Sequence, residues 1–283
     1  MKPEPQPYRP RRDLRCAFAL VILGVIIGMA VLAPALAPRP PEEIDLERVL
    51  EKPSRHCPFG TDEKGRDIFS RVLYGARFSL GIGVSATVLA LVLGAGAGLA
   101  GGYFGGRVDG VIQVVTDITL SFPSLLLAIG ITVVLRPGFA TVFIALGLVG
   151  WASIARLVRG EVLSLRRREF VEAARASGAA PSRIILRHVL PNCLPIVVVA
   201  AGLKVGGFIL GEAALSFLDL GVRPPAPAWG YMISAGREYL TVAPWLAVFP
   251  GLFLAGTVLA CNLLGDALRD RLGVGGTLPS ARR

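Results

Sequence analysis

The chain has 283 residues, 53% hydrophobic and only 18% charged, with a mean hydropathy of +0.61. Charged residues fall below the roughly 25% usual in soluble domains, which excludes an ordinary soluble enzyme and points to a polytopic membrane protein. The net charge of +10 reads as basic loops held on one side of a membrane, not as nucleic-acid binding, because aromatic and basic residues are not interleaved.

The apolar runs are continuous and about 20 residues long, not about 10 and alternating, which argues for helices over a β-barrel. Residues 1–13, with Arg9, Arg11 and Arg12, form a polar basic tail. The first apolar run is residues 14–37. A signal peptide is one reading, since Ala35-Leu36-Ala37 resembles a cleavage site. The run exceeds the usual 7–15 residue apolar core, which favours an uncleaved transmembrane helix. Residues 38–76 open with Pro38, Pro40 and Pro41 and then alternate charges of both signs. They predict an extracytoplasmic loop with a short surface helix near 67–73.

Apolar runs at 78–102, 111–135, 139–158, 192–217 and 241–264 complete a prediction of six spans. The 34 glycines across the chain suit close helix packing. Pro123 predicts a kink in the third span. Basic residues concentrate in the tail, at Arg107, between Arg156 and Arg187 and after Asp266, whereas the short loops of the other side carry only Arg136, Arg223 and Arg237. Both termini are therefore predicted on the cytoplasmic side. The expected domains are a cytoplasmic tail (1–13), a first helix (14–37), an external loop (38–76), a five-helix core (77–266) containing a cytoplasmic loop (159–190), and a cytoplasmic tail (267–283).

Asp117, Lys204 and Glu212 fall inside predicted spans, where a charge must face a bundle interior, a cavity or a partner. Each is a candidate for the pathway or for an interface. Cys16, Cys57, Cys193 and Cys261 form no CxxC and are expected to be free thiols. His56 beside Cys57 makes no metal site, as His188 is the only other histidine.

Residues 169–191, EFVEAARASGAAPSRIILRHVLP, are polar and basic between two long apolar runs. Residues 169–177 predict a short helix with Phe170, Ala173 and Ala174 on one face. Gly178 suits the left-handed position that ends a helix, Pro181 the first turn of a second one, and Pro191 is expected to break that helix before the next span. Two readings remain open on pattern alone: a docking surface offering Glu172 and small alanines, or an interfacial helix lying on lipid.

Glu172-Ala173-Ala174, Gly178 and Leu190-Pro191 resemble the EAA loop of ABC importer permeases. His56-Cys57-Pro58-Phe59-Gly60-Thr61-Asp62, Gly65-Arg66-Asp67 and Ser70-Arg71 resemble the N-terminal signature of the dipeptide/oligopeptide and nickel subfamily, C-type subunit. Cys57 departs from an adjacent His-Pro pair. Gly211-Glu212, Leu215-Ser216-Phe217-Leu218, Trp229-Gly230, Pro244-Trp245 and Asn262-Leu263-Leu264-Gly265-Asp266 extend the match over about residues 14–272.

The resemblance implies an all-α, six-span type I ABC importer permease in a bacterial or archaeal plasma (inner) membrane. It implies a homologous B-type permease beside this chain, two cytoplasmic ATP-binding subunits that hold ATP and Mg, and an extracytoplasmic substrate-binding protein. Glu172, Ala173, Ala174 and Gly178 would form the ATPase-coupling site. The sequence has no GxxxxGK[ST] phosphate loop, so neither ATPase activity nor a bound cofactor is expected of the chain itself. Di- or oligopeptides are the implied solutes. An ion-gradient-driven secondary transporter is the alternative; it would need coupling acids at mid-membrane and often an internal repeat, but no clear repeat is seen and the acids are few. Residues 38–76 either receive the binding protein or brace the first helix.

Overall fold

The computed structural model describes residues 14–273; the predicted tail 1–13 and most of the predicted tail 267–283 lie outside it. The described residues contain ten α-helices and no β-sheet. Helix α1 (Leu14–Leu36) buries one stripe of mostly small side chains, Cys16, Ala19, Ile26, Ala30 and Ala33, against α2 (Ile68–Phe104) and α10 (Trp245–Leu272). Pro34 has no N–H to give the Ala30 carbonyl four residues back. Arg77 of α2 fills that gap, donating from Nε to the Ala30 oxygen at 2.6 Å and from Nη2 to that of Val31 at 3.1 Å.

The short surface helix predicted near 67–73 is instead the first turns of α2, and the predicted core boundary at 77 falls inside it. Asp67 caps the helix, accepting from the Ser70 N–H at 2.8 Å and the Ser70 hydroxyl at 2.7 Å, which satisfies donors that helix starts leave free. The 37 residues of α2 run about 55 Å at 1.5 Å per residue, well beyond a ~30 Å hydrocarbon core.

Helix α2 packs along α5 (Phe139–Leu165) through a glycine ridge. A Cβ at Gly94 would lie 2.6 Å from the Trp151 oxygen, at Gly98 2.7 Å from the Ala155 oxygen, and at Gly102 2.7 Å from Val162. The spacing of four residues puts all three on one face, so the backbones approach as closely as small residues allow.

The predicted third span is broken, not merely kinked. Helices α3 (Gly106–Ser121) and α4 (Ser124–Leu135) meet at 93°. Phe122, held extended before Pro123 (φ −90°, ψ 141°), cannot continue α3 because the proline ring disfavours the helical region for its predecessor. Five helical stretches are individually long and apolar enough to span a membrane, or six if the bent pair counts as one. The last of them, α10, reaches Leu272, past the expected boundary at 266.

Residues 38–67 fold into a compact knot over one end of the bundle. Asp62 accepts from Arg66 Nε at 2.7 Å and from the backbone N–H groups of Lys64 and Arg66, and Arg71 Nε lies 3.6 Å away. Arg71 also donates to the Pro41 carbonyl at 2.9 Å. Phe59 stacks on Phe249 of α10 at 4.0 Å, and Trp245 donates to the Thr61 carbonyl at 3.3 Å. Helix α9 (Trp229–Gly236), not anticipated from the sequence, packs here too, Trp229 donating to the Val72 carbonyl at 2.9 Å.

A two-helix elbow and the charges within the spans

At the opposite end of the bundle α5 gives way to Arg166, Arg167 and Arg168, and then to α6 (Glu169–Ala176). Glu169 and Glu172 occupy the first turn and Arg175 the last, each sign matched to the helix dipole. The chain turns at Gly178, whose φ of +75° is the left-handed conformation a side chain disfavours. The Ala179 N–H donates to the Ala174 carbonyl at 3.1 Å and the Gly178 N–H to that of Arg175 at 3.0 Å, the paired bonds of a Schellman motif. Pro181 then opens α7 (Pro181–Ile184).

Two sequence expectations change here. The face that α6 turns to the bundle is carried by Val171, fully buried, with Ala174 half-buried, not by Phe170, Ala173 and Ala174 together. Phe170 is 41% exposed. Val171 belongs to the same apolar cluster as Val162, Leu165, Ile184 and Val189, and those neighbours decide which side of so short a helix is covered. Pro191, moreover, does not break the second helix. Residues Pro181–Phe217 form one helical stretch, passing from α7 through a wide turn at Ile185–Val189 into α8 (Leu190–Phe217). The Leu190 N–H reaches back five residues to Ile185. This extra residue per turn opens the ladder upstream of the proline ring.

Glu172, Ala173 and Gly178 are all exposed, and a Cβ on Gly178 would meet nothing within 4 Å. The elbow thus presents a polar, small-residue surface away from the bundle. It is anchored behind by Arg175 over the Tyr103 ring at 6.0 Å and by Arg166 donating to the Tyr103 carbonyl at 3.1 Å.

Of the charges within the spans, Asp117 of α3 accepts from Arg156 of α5 at 2.6 Å, with both side chains more than half exposed. Closer to the elbow, Asp109 takes a two-pronged contact from Arg159 at 2.6 Å. The sequence does not by itself pair Asp117 with Arg156 or Asp109 with Arg159. The available signal was opposite charges at helical spacing on neighbouring apolar helices. Glu212 is enclosed within the chain, accepting from Ser216 at 2.6 Å and Ser79 of α2 at 3.4 Å. It links α8 to α2 and does not line the cavity that Lys204, also of α8, faces. All four cysteines are free and buried, and no group of three or more His, Cys, Asp or Glu that could hold a metal occurs among the described residues.

Residues 90–273 match the family described as binding-protein-dependent transport system inner membrane component. The chain is 44% identical over 253 residues to the dipeptide transport system permease protein DppC of Alkalihalophilus pseudofirmus, covering 89% of this chain and 83% of the relative. It is 42% identical over 265 residues to the glutathione transport system permease protein GsiD of Escherichia coli (93% and 88% covered). A solved structure of the MetNI methionine ABC transporter in an inward-facing conformation shares the fold, with a TM-score of 0.59 at 20% identity over 72% of this chain and 97% of that one. A multi-pass helical bundle with an exposed elbow and these relatives lead to one assignment: the chain belongs to the family of binding-protein-dependent transport system inner membrane components.

Proposed function

We propose that this chain is one of two permease subunits of an ATP-driven importer of di- or oligopeptides, and that the elbow of α6 and α7 receives the force of ATP binding. The observation that carries the reading is the uninterrupted helical stretch from Pro181 to Phe217. A push on α7 is transmitted along this helical stretch into a membrane span, with no loop to absorb it, and α6 is joined to α7 only through the short turn at Gly178. Such rigid-body motion is a standard physical form of switching.

In this reading Glu172 offers the polar anchor to an ATPase subunit, Ala173 allows its close approach, and Ala174 seats α6 on the bundle. Gly178 sets the angle between the two helices. ATP and Mg belong to two cytoplasmic ATPase subunits, a homologous B-type permease completes the pathway, and an extracytoplasmic binding protein delivers solute. The elbow faces the cytoplasm, and so do both termini; the membrane is the plasma (inner) membrane of a bacterium or archaeon. The names of the dipeptide and glutathione relatives support a peptide solute. The family is one of binding-protein-dependent transport, which does not favour the ion-gradient alternative.

Gly178→Val tests the coupling. Space at Gly178 is open, so the substitution strains only the backbone, by about 1–2 kcal/mol, and changes the elbow angle. The expected result is normal membrane insertion and ATP hydrolysis with loss of peptide uptake. Normal uptake would overturn the coupling role.

A further inference from the structure

Lys204 lies on α8 with its ammonium 5.9 Å from the centroid of the Phe208 ring. None of the ion pairs among the described residues includes it. A charge inside a span is costly unless matched, and a single ring face compensates only in part. Glu212, eight residues further along the same helix, is occupied by Ser79 and Ser216.

The ammonium faces a cavity of about 320 Å³ between α5, α8 and the break between α3 and α4. Leu120 and Ser124 line it from the break, Gly150 and Ser153 from α5, and Gly207 and Gly211 from α8. No acidic side chain lines the cavity, and its hydroxyls, Ser124 and Ser153, are neutral, so the lining does not supply the missing anion. Gly207 leaves the α8 wall open, a Cβ there meeting nothing within 4 Å, whereas Gly150 of α5 admits the Phe208 ring that lies under the ammonium. An ion pair with a neighbouring subunit would require no such space, and a lipid headgroup would not reach the middle of a span.

We propose that Lys204 and this cavity form an anion-attracting subsite on the transport path, which draws in the carboxylate of the passing solute. The inference deepens the peptide-importer reading and rests on it for the identity of the solute. Lys204 acts as a specificity-determining residue: a peptide with a free C-terminal carboxylate is favoured over the same peptide amidated.

The test has two arms, both on the complete transporter in vesicles. In the first, the four native cysteines are replaced and Gly207→Cys is introduced, a position on the same cavity where a Cβ meets nothing within 4 Å. The modification rates of the new thiol by anionic sulfonatoethyl and cationic trimethylammonioethyl methanethiosulfonate are measured relative to a free thiol. Lys204 is expected to favour the anionic reagent, and Lys204→Gln to lower the anionic-to-cationic ratio about tenfold, while Lys204→Arg preserves it. No preference with Lys204 present overturns the inference, the ammonium then being matched by a neighbouring subunit. Failure of the introduced thiol to react in any state of the cycle overturns it too, because the cavity is then closed to solute.

In the second arm, uptake of trialanine is compared with that of its C-terminal amide. Preference for the free acid that is lost in Lys204→Gln and kept in Lys204→Arg supports the inference, and equal uptake of both peptides by the unaltered transporter overturns it. Uptake of neither peptide, with the labelling ratio still dependent on Lys204, overturns the peptide reading and upholds the anion subsite.

Discussion

Asp62 shows how much one side chain can organise. It accepts from the side chain and backbone of Arg66 and from the backbone of Lys64, and it lies 3.6 Å from Arg71. The Asp62 and Arg71 side chains are 7% and 2% exposed. Removing one member of a buried ion pair leaves the other uncompensated. Asp62→Ala is therefore expected to cost about 3 kcal/mol, seen as a lowered thermal unfolding midpoint in detergent; an unchanged midpoint would mean that the Pro41 carbonyl on Arg71 and Glu63, 2.9 Å from Arg66 Nη2, suffice for the two arginines. The residues of this knot are recognisable in the sequence as a motif, yet their job is not. Nothing in the spacing of Asp62, Arg66 and Arg71 says that the Pro41 carbonyl joins them, because that contact depends on how the chain returns after α1. Gly178 is the reverse case. Its left-handed φ was legible from the glycine and the proline three residues later, because a Schellman turn is a local structure.

At the scale of helices, α2 and α5 owe their closeness to Gly94, Gly98 and Gly102. Gly98→Val would drive a side chain into the Ala155 carbonyl and Val158, at a cost near the top of about 1–3 kcal/mol. Gly96→Val, on the same helix where a Cβ meets nothing within 4 Å, is expected to leave the unfolding midpoint almost unchanged. Equal losses in the two variants would show that the cost lies in the helix backbone and not in the packing. The wide turn at Ile185–Val189 makes a second test. Deleting Leu186, 65% exposed, restores ordinary helical pitch and rotates α7 by about 100° relative to α8, one residue of a 3.6-residue turn. Peptide uptake is expected to fall to background while the protein remains in the membrane, as read by immunoblot of purified membranes. Retained uptake would show that the orientation of α7 is unimportant.

For the whole molecule, the two ends of the bundle carry different chemistry: a buried polar knot at one, the exposed elbow at the other. The topology is tested by accessibility to a membrane-impermeant maleimide in sealed cells. Ser182→Cys on the exposed side of α7 is expected to react only after permeabilisation, and Lys52→Cys in the knot to react in intact cells. The reverse pattern would reject the orientation. The native thiols interfere little, since all four are buried; burial, and next the charges of Asp67 and Glu51, push the Cys57 thiol above its ordinary range, so its reactive thiolate is scarce at neutral pH. Taken by itself, the sequence determined that the chain is an all-helical membrane protein, where its apolar stretches lie, and that a glycine-hinged polar elbow interrupts them. These follow from hydropathy, glycine and proline, which act over a few residues. Tertiary structure alone decided that α3 and α4 part at 93°, that Val171 and not Phe170 seats α6, and that Pro191 rides in a continuous helix. It also decided that Glu212 is enclosed while Lys204 faces open space. Pro123 and the wide turn before Pro191 act locally, but the seating of α6 and the surroundings of Glu212 and Lys204 depend on which side chains come together from distant parts of the chain, and helical periodicity carries no information about the neighbour on the other side of the contact.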